Sequence, residues 1–152
     1  MYIWVLLLAP LWGIKGLDFA FVGRWVGHFK HGVFRHRSII QSKPIRMERP
    51  LGWFIHYVTG VVFAALLIGI VGDAWLASPT LGPALLIGAV TVVFPFFIMQ
   101  PCFGMGIAAS KTTNPRHARL NSTLTHIIFG CGLYLSATCM ARFLCIVPYN
   151  KN

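Results

Sequence analysis

An all-α polytopic membrane bundle, with about four transmembrane helices and one short interfacial amphipathic helix, is the fold this sequence predicts, on three observations. Hydrophobic residues make up 57% of the chain and only Asp18, Glu48 and Asp73 are acidic, a balance unlike that of soluble domains. Apolar runs recur at lengths suited to a hydrocarbon core about 30 Å thick. The cations sit at the edges of those runs: Lys15, Arg24, Lys30, Arg35, Arg37, Lys43, Arg46 and Arg49 fall in one stretch, Lys111, Arg116 and Arg119 in another, and residues 73–82 carry none. Four spans of about 20 residues use roughly half of such a chain, so residues 1–152 form a single membrane domain.

The first run, 1–14, is short for a span. Positive charge would precede the apolar run of a secretory signal, whereas Lys15 follows it, so the run reads as the inner part of a first span. A second span covers 51–71, opened by Glu48-Arg49-Pro50, with proline suited to a first helical turn. A third covers 81–100. The fourth covers 124–147 and is preceded by Asn114-Pro115, a capping residue followed by proline, so its helix starts in water. All spans are helical, because lipid offers no partner to open backbone. The positive-inside rule then places 15–50 and 101–123 in the cytoplasm and 73–82 outside.

A net charge of +10 raises nucleic acid as a partner, but the basic residues border apolar runs and are not interleaved with stacking aromatics. Anionic headgroups at the cytoplasmic face account for the same charge. Leu17, Phe21, Trp25 and Phe29 recur at helical spacing, which predicts an amphipathic helix on the inner leaflet. Arg24, Lys30, Arg35 and Arg37 are then lipid-facing members of the basic loop. His28, His31 and His36 lack Cys or carboxylate partners and stand among cations, so no metal site is expected. Cys102, Cys131, Cys139 and Cys145 lack C-x-x-C spacing and read as packing hydrophobes.

Ionisable groups inside the bilayer are costly, which makes His56 and His126, each followed four residues on by glycine, the candidates for a ligand or proton-relay site. Gln100 and Asn114 join them as polar residues at the basic end of the spans. The competing account is interhelical hydrogen bonding. Pro95 frees the carbonyl of Thr91 and kinks the third span. Gly104-Met105-Gly106-Ile107-Ala108-Ala109 mimics a dinucleotide fingerprint but follows a membrane helix, so its content is close backbone approach. Gly60-x-x-x-Ala64 and Gly132-x-x-x-Ser136 offer ridges for a compact bundle or a homo-oligomer.

Gly52-Trp53 with His56-Tyr57, Met99-Gln100-Pro101 with Gly104 and Gly106, and Thr125-His126 with Phe129-Gly130 together resemble a family of small bacterial inner-membrane proteins catalogued as a domain of unknown function. Gly23-Arg24-Trp25 and Phe34-Arg35-His36 extend that resemblance, which implies four membrane helices, a chain shortened at its start, and no assigned activity. The expected protein is a multi-pass bacterial inner-membrane protein serving as a structural or interaction component, with no catalytic residues and no cofactor. A small transporter or channel subunit, with His56 and His126 lining a polar path, is the alternative, and a membrane-embedded enzyme comes third.

Overall fold

Asp18 starts the first helix by accepting a hydrogen bond from the Ala20 N–H at 3.0 Å, the usual way a carboxylate satisfies an orphan donor at a helix start. In the computed structural model, which describes residues 18–146 with side chains through 143, this helix is α1 (Phe19–Gly27) and runs into a 3₁₀ turn at His28–His31. Next come α2 (Glu48–Val71), the short α3 (Ala74–Ala77), α4 (Leu81–Thr91), a π-helical segment (Pro95–Met99), α5 (Gln100–Cys102), a 3₁₀ turn (Ile107–Ala109) and α6 (Pro115–Ile146). The expected run 1–14 lies outside the described residues.

Among the described residues, three helical stretches are long and apolar enough to cross a membrane: Glu48–Val71, Leu81–Cys102 and Pro115–Phe143. At 1.5 Å per residue the first is about 36 Å long, enough for the hydrocarbon core. Its sides are bare: Phe54, Tyr57, Val61, Val62, Leu66 and Ile70 are all exposed. In water such a surface would aggregate, whereas acyl chains cover it without cost.

The helices pack in two pairs, α1 on the first turns of α2 and α4 on α6. Both contacts rest on missing side chains. A Cβ on Gly23 would collide with the Glu48 carbonyl and one on Gly52 with the Phe19 carbonyl, while one on Gly88 would lie 2.9 Å from the Gly130 Cα. Among the described residues nothing lies within 4 Å of the Cβ position of Gly132, where the sequence predicts a ridge, and Gly60 meets the Phe129 ring at 3.9 Å. Each pair supports one core. Leu67, Trp75, Ala84, Ile87 and Ala137 cluster at one end of the bundle, and Val22, Trp25, Ile39 and Phe103 at the other.

Pro95 does disturb the third span. With no N–H to return to Thr91, the chain widens into the π-helical turn, where the Gln100 N–H reaches back to the Pro95 carbonyl. Beyond it the backbone reverses at Gly104 and Gly106, with φ of 85° and 76°, values glycine adopts freely. This turn receives the segment between α1 and α2: the His36 N–H donates to the Cys102 carbonyl at 2.8 Å and the Ile39 N–H to the Phe103 carbonyl at 3.0 Å. The two basic segments therefore meet at one end of the helices, and the cation-free turn between α2 and α4 lies at the other.

Replacing Gly88 by Ala is expected to lower the thermal unfolding temperature of detergent-solubilised protein, at a cost of about 1–3 kcal/mol for overpacking. Gly132→Ala should raise it, since alanine is favoured over glycine by up to about 1 kcal/mol in an open helix. Shifts of the same sign would contradict these crossings.

Candidate functional site

At the basic end, Arg24 organises everything around it. The amphipathic pattern of its helix points it toward lipid, but it is only 7% exposed. Its Nε donates to Glu48 Oε2 at 2.9 Å and its Nη2 to Glu48 Oε1 at 2.8 Å, a two-pronged ion pair between α1 and the start of α2. Nη1 donates to the carbonyls of Ile39 at 3.0 Å, Ser42 at 3.1 Å and Ile40 at 3.3 Å. The planar fork of arginine suits this, presenting donors in two directions at once. Glu48 Oε2 also accepts from the Ile45 N–H at 3.1 Å, so the carboxylate fixes the far end of the same loop.

A second network continues from the loop. Ser42 Oγ donates to the Ser38 carbonyl at 2.8 Å and so accepts from His36 Nδ1–H at 2.9 Å. That assignment leaves His36 Nε2 to accept from His28 Nδ1–H at 3.4 Å. Burial, reinforced by His28 and Arg24 nearby, pushes the His36 pKa below its ordinary value. Trp25 Nε1 donates to the Phe34 carbonyl at 2.7 Å, pinning the start of the loop.

Against this platform the Gly104–Gly106 turn borders a half-open cavity of about 340 Å³, lined by Arg35, His36 and Arg37 from one segment and by Pro101, Gly104, Gly106 and Lys111 from the other. Arg35, Arg37 and Lys111 are exposed. The ion pairs among the described residues are Arg24–Glu48 and Arg49–Asp18, so none of these three cations has a carboxylate partner there. The turn behind the cavity is held in an unusual form, with Ala108 and Ala109 at positive φ. Such residues cost on the order of 1–3 kcal/mol each and persist where their surroundings fix them. Here Arg119 Nε donates to the Ala108 carbonyl and Thr112 Oγ1 to the Ala109 carbonyl, both at 2.8 Å.

The four expected site residues have different immediate surroundings, and His56 lies close enough to His126 to act on it electrostatically. His126 shares a 2.9 Å hydrogen bond with Thr91 Oγ1 across the α4–α6 contact. His56 lies instead among aromatic rings, 4.3 Å from Phe19 and 5.8 Å from both Trp53 and Tyr57 between ring centroids. Gln100 is buried, its Nε2 donating to Ser122 Oγ at 3.2 Å and its Oε1 lacking a partner among the described residues. Asn114 caps α6, its Oδ1 accepting from the His117 N–H at 3.3 Å. Lys30 is exposed beyond α1.

Sequence reasoning misses Glu48, Lys111 and the role of His36. One signal is available: a single glutamate inside a run of cations is a natural internal partner for one of them. A family model described as a protein of unknown function matches residues 1–140. No curated protein and no solved structure matches the chain.

Because the folded state disfavours the charged form of His36, the unfolded chain takes up a proton there first as pH falls. The stability contribution of this site is full above about 6.5 and declines on acidification through that value until the folded-state ring also titrates. Unfolding temperatures measured from pH 8 to pH 5 should fall less steeply for His36→Gln than for the parent. Identical slopes would contradict a neutral His36.

Proposed function

The chain belongs to the family DUF2938, described as a protein of unknown function, and from that premise we propose that it is a multi-pass inner-membrane protein of bacterial type that works as a structural or interaction component. Its basic end rests against anionic headgroups on the cytoplasmic side. The observation that carries this reading is the buried Arg24 fork. By tying the loop to two helices it converts a run of cations into a fixed surface, and it leaves Lys30, Arg35, Arg37, Lys43, Arg46 and Lys111 exposed. A surface of one sign at one end of the bundle suits a leaflet of opposite sign, each cation near it adding about 1 kcal/mol.

His126 supports the same reading, since its bond to Thr91 is the kind of interhelical contact that holds a bundle together. A transporter or channel subunit is favoured by one observation, the buried Gln100 Oε1 without a partner among the described residues, because such an atom suits a hydrated or solute-lined path. Liposome flux separates the two. Transport requires proton or solute flux that His126→Asn or Gln100→Leu abolishes, whereas a structural component gives none.

Orientation is tested with a membrane-impermeant amine reagent on intact bacterial cells and on inverted vesicles. Lys30, Lys43 and Lys111 should react in inverted vesicles and be protected in intact cells. Labelling of all three from outside would overturn the cytoplasmic assignment.

A further inference from the structure

We propose that the cavity between Arg35, Arg37 and Lys111 is a binding site for a phosphate group, carried by an anionic lipid headgroup or by a small phosphorylated solute. This deepens the reading of the basic end as a headgroup-facing surface, and it makes a stronger claim: one phosphate occupies one built site. Charge is the first ground. Three cations line one cavity, and the chain has only three carboxylate side chains to neutralise them. Glu48 is committed to Arg24 and to the Ile45 N–H. Asp18 caps α1 and lies 3.7 Å from Arg49. Asp73 sits in the turn between α2 and α4, at the opposite end of the bundle. The charge that balances the cavity therefore comes from outside the described chain.

Shape points to the same ligand. Converging cations repel unless an anion joins them, and guanidinium groups match the oxygens of a phosphate two at a time. A volume of about 340 Å³ lies at the small end of ligand cavities, about 300–1,000 Å³, suited to a headgroup fragment and not to a large organic ligand. The wall is backbone as well as side chain. Gly106 lines the cavity, and among the described residues its N–H makes no hydrogen bond, so that donor is uncommitted.

The walls are also fixed before any ligand arrives. His36 and Ile39 are bonded to the Cys102 and Phe103 carbonyls, Gly104 packs so tightly on the Arg37 carbonyl that a Cβ there would collide with it, and the Arg24 fork holds the loop from behind. A cavity whose backbone is already held binds with less of the ordering cost, leaving that of its side chains. A merely solvated basic face requires none of this bracing.

The test uses the full chain in neutral detergent, with binding read by thermophoresis against inorganic phosphate, glycerol 3-phosphate, short-chain phosphatidic acid and short-chain phosphatidylglycerol. The expected result is saturable binding of at least one of them, weakened about tenfold by Arg37→Gln or by Lys111→Gln, the loss of one charge-assisted contact. Arg37→Lys should retain more affinity than Arg37→Gln, and the charge-matched control Lys43→Gln with Arg46→Gln should change affinity less than about twofold, as expected for cations outside the cavity. Binding of the lipids alone identifies a headgroup as the source of the phosphate, whereas binding of the two soluble phosphates as well identifies a solute site. Either supports the assignment. Absence of binding by all four probes, or equal weakening in the Lys43/Arg46 control, overturns it. Amine labelling of the same variants in vesicles reports independently on the membrane reading: a correct labelling pattern with no phosphate binding sinks the cavity alone.

Discussion

A guanidinium taken out of water has to find a partner for every N–H it turns inward, and in this protein that requirement shapes the basic end of the bundle. Arg24 meets it with one carboxylate and three backbone carbonyls. The carboxylate is at the start of α2 and the carbonyls are in the loop before it, so satisfying one side chain fixes α1, the loop and α2 together. Leaving either charge of such a pair alone in the interior costs about 3–5 kcal/mol. The close contact of Gly23 and Gly52 brings α1 near enough to α2 for the fork to reach.

A chain of dependence runs from that anchor to the basic cavity. The loop held by Arg24 offers the His36 and Ile39 N–H groups to the Cys102 and Phe103 carbonyls, and those bonds seat the loop on the turn after the third span. That turn has positive φ at Gly104 and Gly106, so it can lie against the Arg37 carbonyl where a side chain could not. Arg35, Arg37 and Lys111 then line one cavity. The one buried ion pair among the described residues thus orders surface cations that have no carboxylate partners of their own.

Parts of this are legible in the sequence and parts are not, for identifiable reasons. Hydropathy marks the apolar stretches of α2, α4 and α6, because burial in lipid is a property of composition over about 20 residues. Asn114-Pro115 marks the start of α6, because capping is local. Arg24 is misread because its place off the apolar stripe of α1 is equally consistent with facing lipid headgroups or a carboxylate 24 residues away. Helix crossings are misplaced for a similar reason: G-x-x-x-small spacing nominates Gly132, while Gly88 and Gly130 make the contact. The two histidines share a spacing to glycine, yet Gly130 meets the α4 backbone and Gly60 the Phe129 ring. Backbone bonds such as His36 to Cys102 leave no mark in side-chain identity, so the docking of the loop on the glycine turn, and the cavity it forms, emerge only in three dimensions.

Arg24 holds the loop and, through it, the glycine turn. Hydrogen–deuterium exchange on the parent protein and on Arg24→Gln, in the same detergent, tests it most directly. Amides of residues 36–48 and 102–111 are expected to lose protection together in the variant, while those around Gly88 and Gly130 on α4 and α6 keep theirs. Continued protection of residues 102–111 in Arg24→Gln would contradict it.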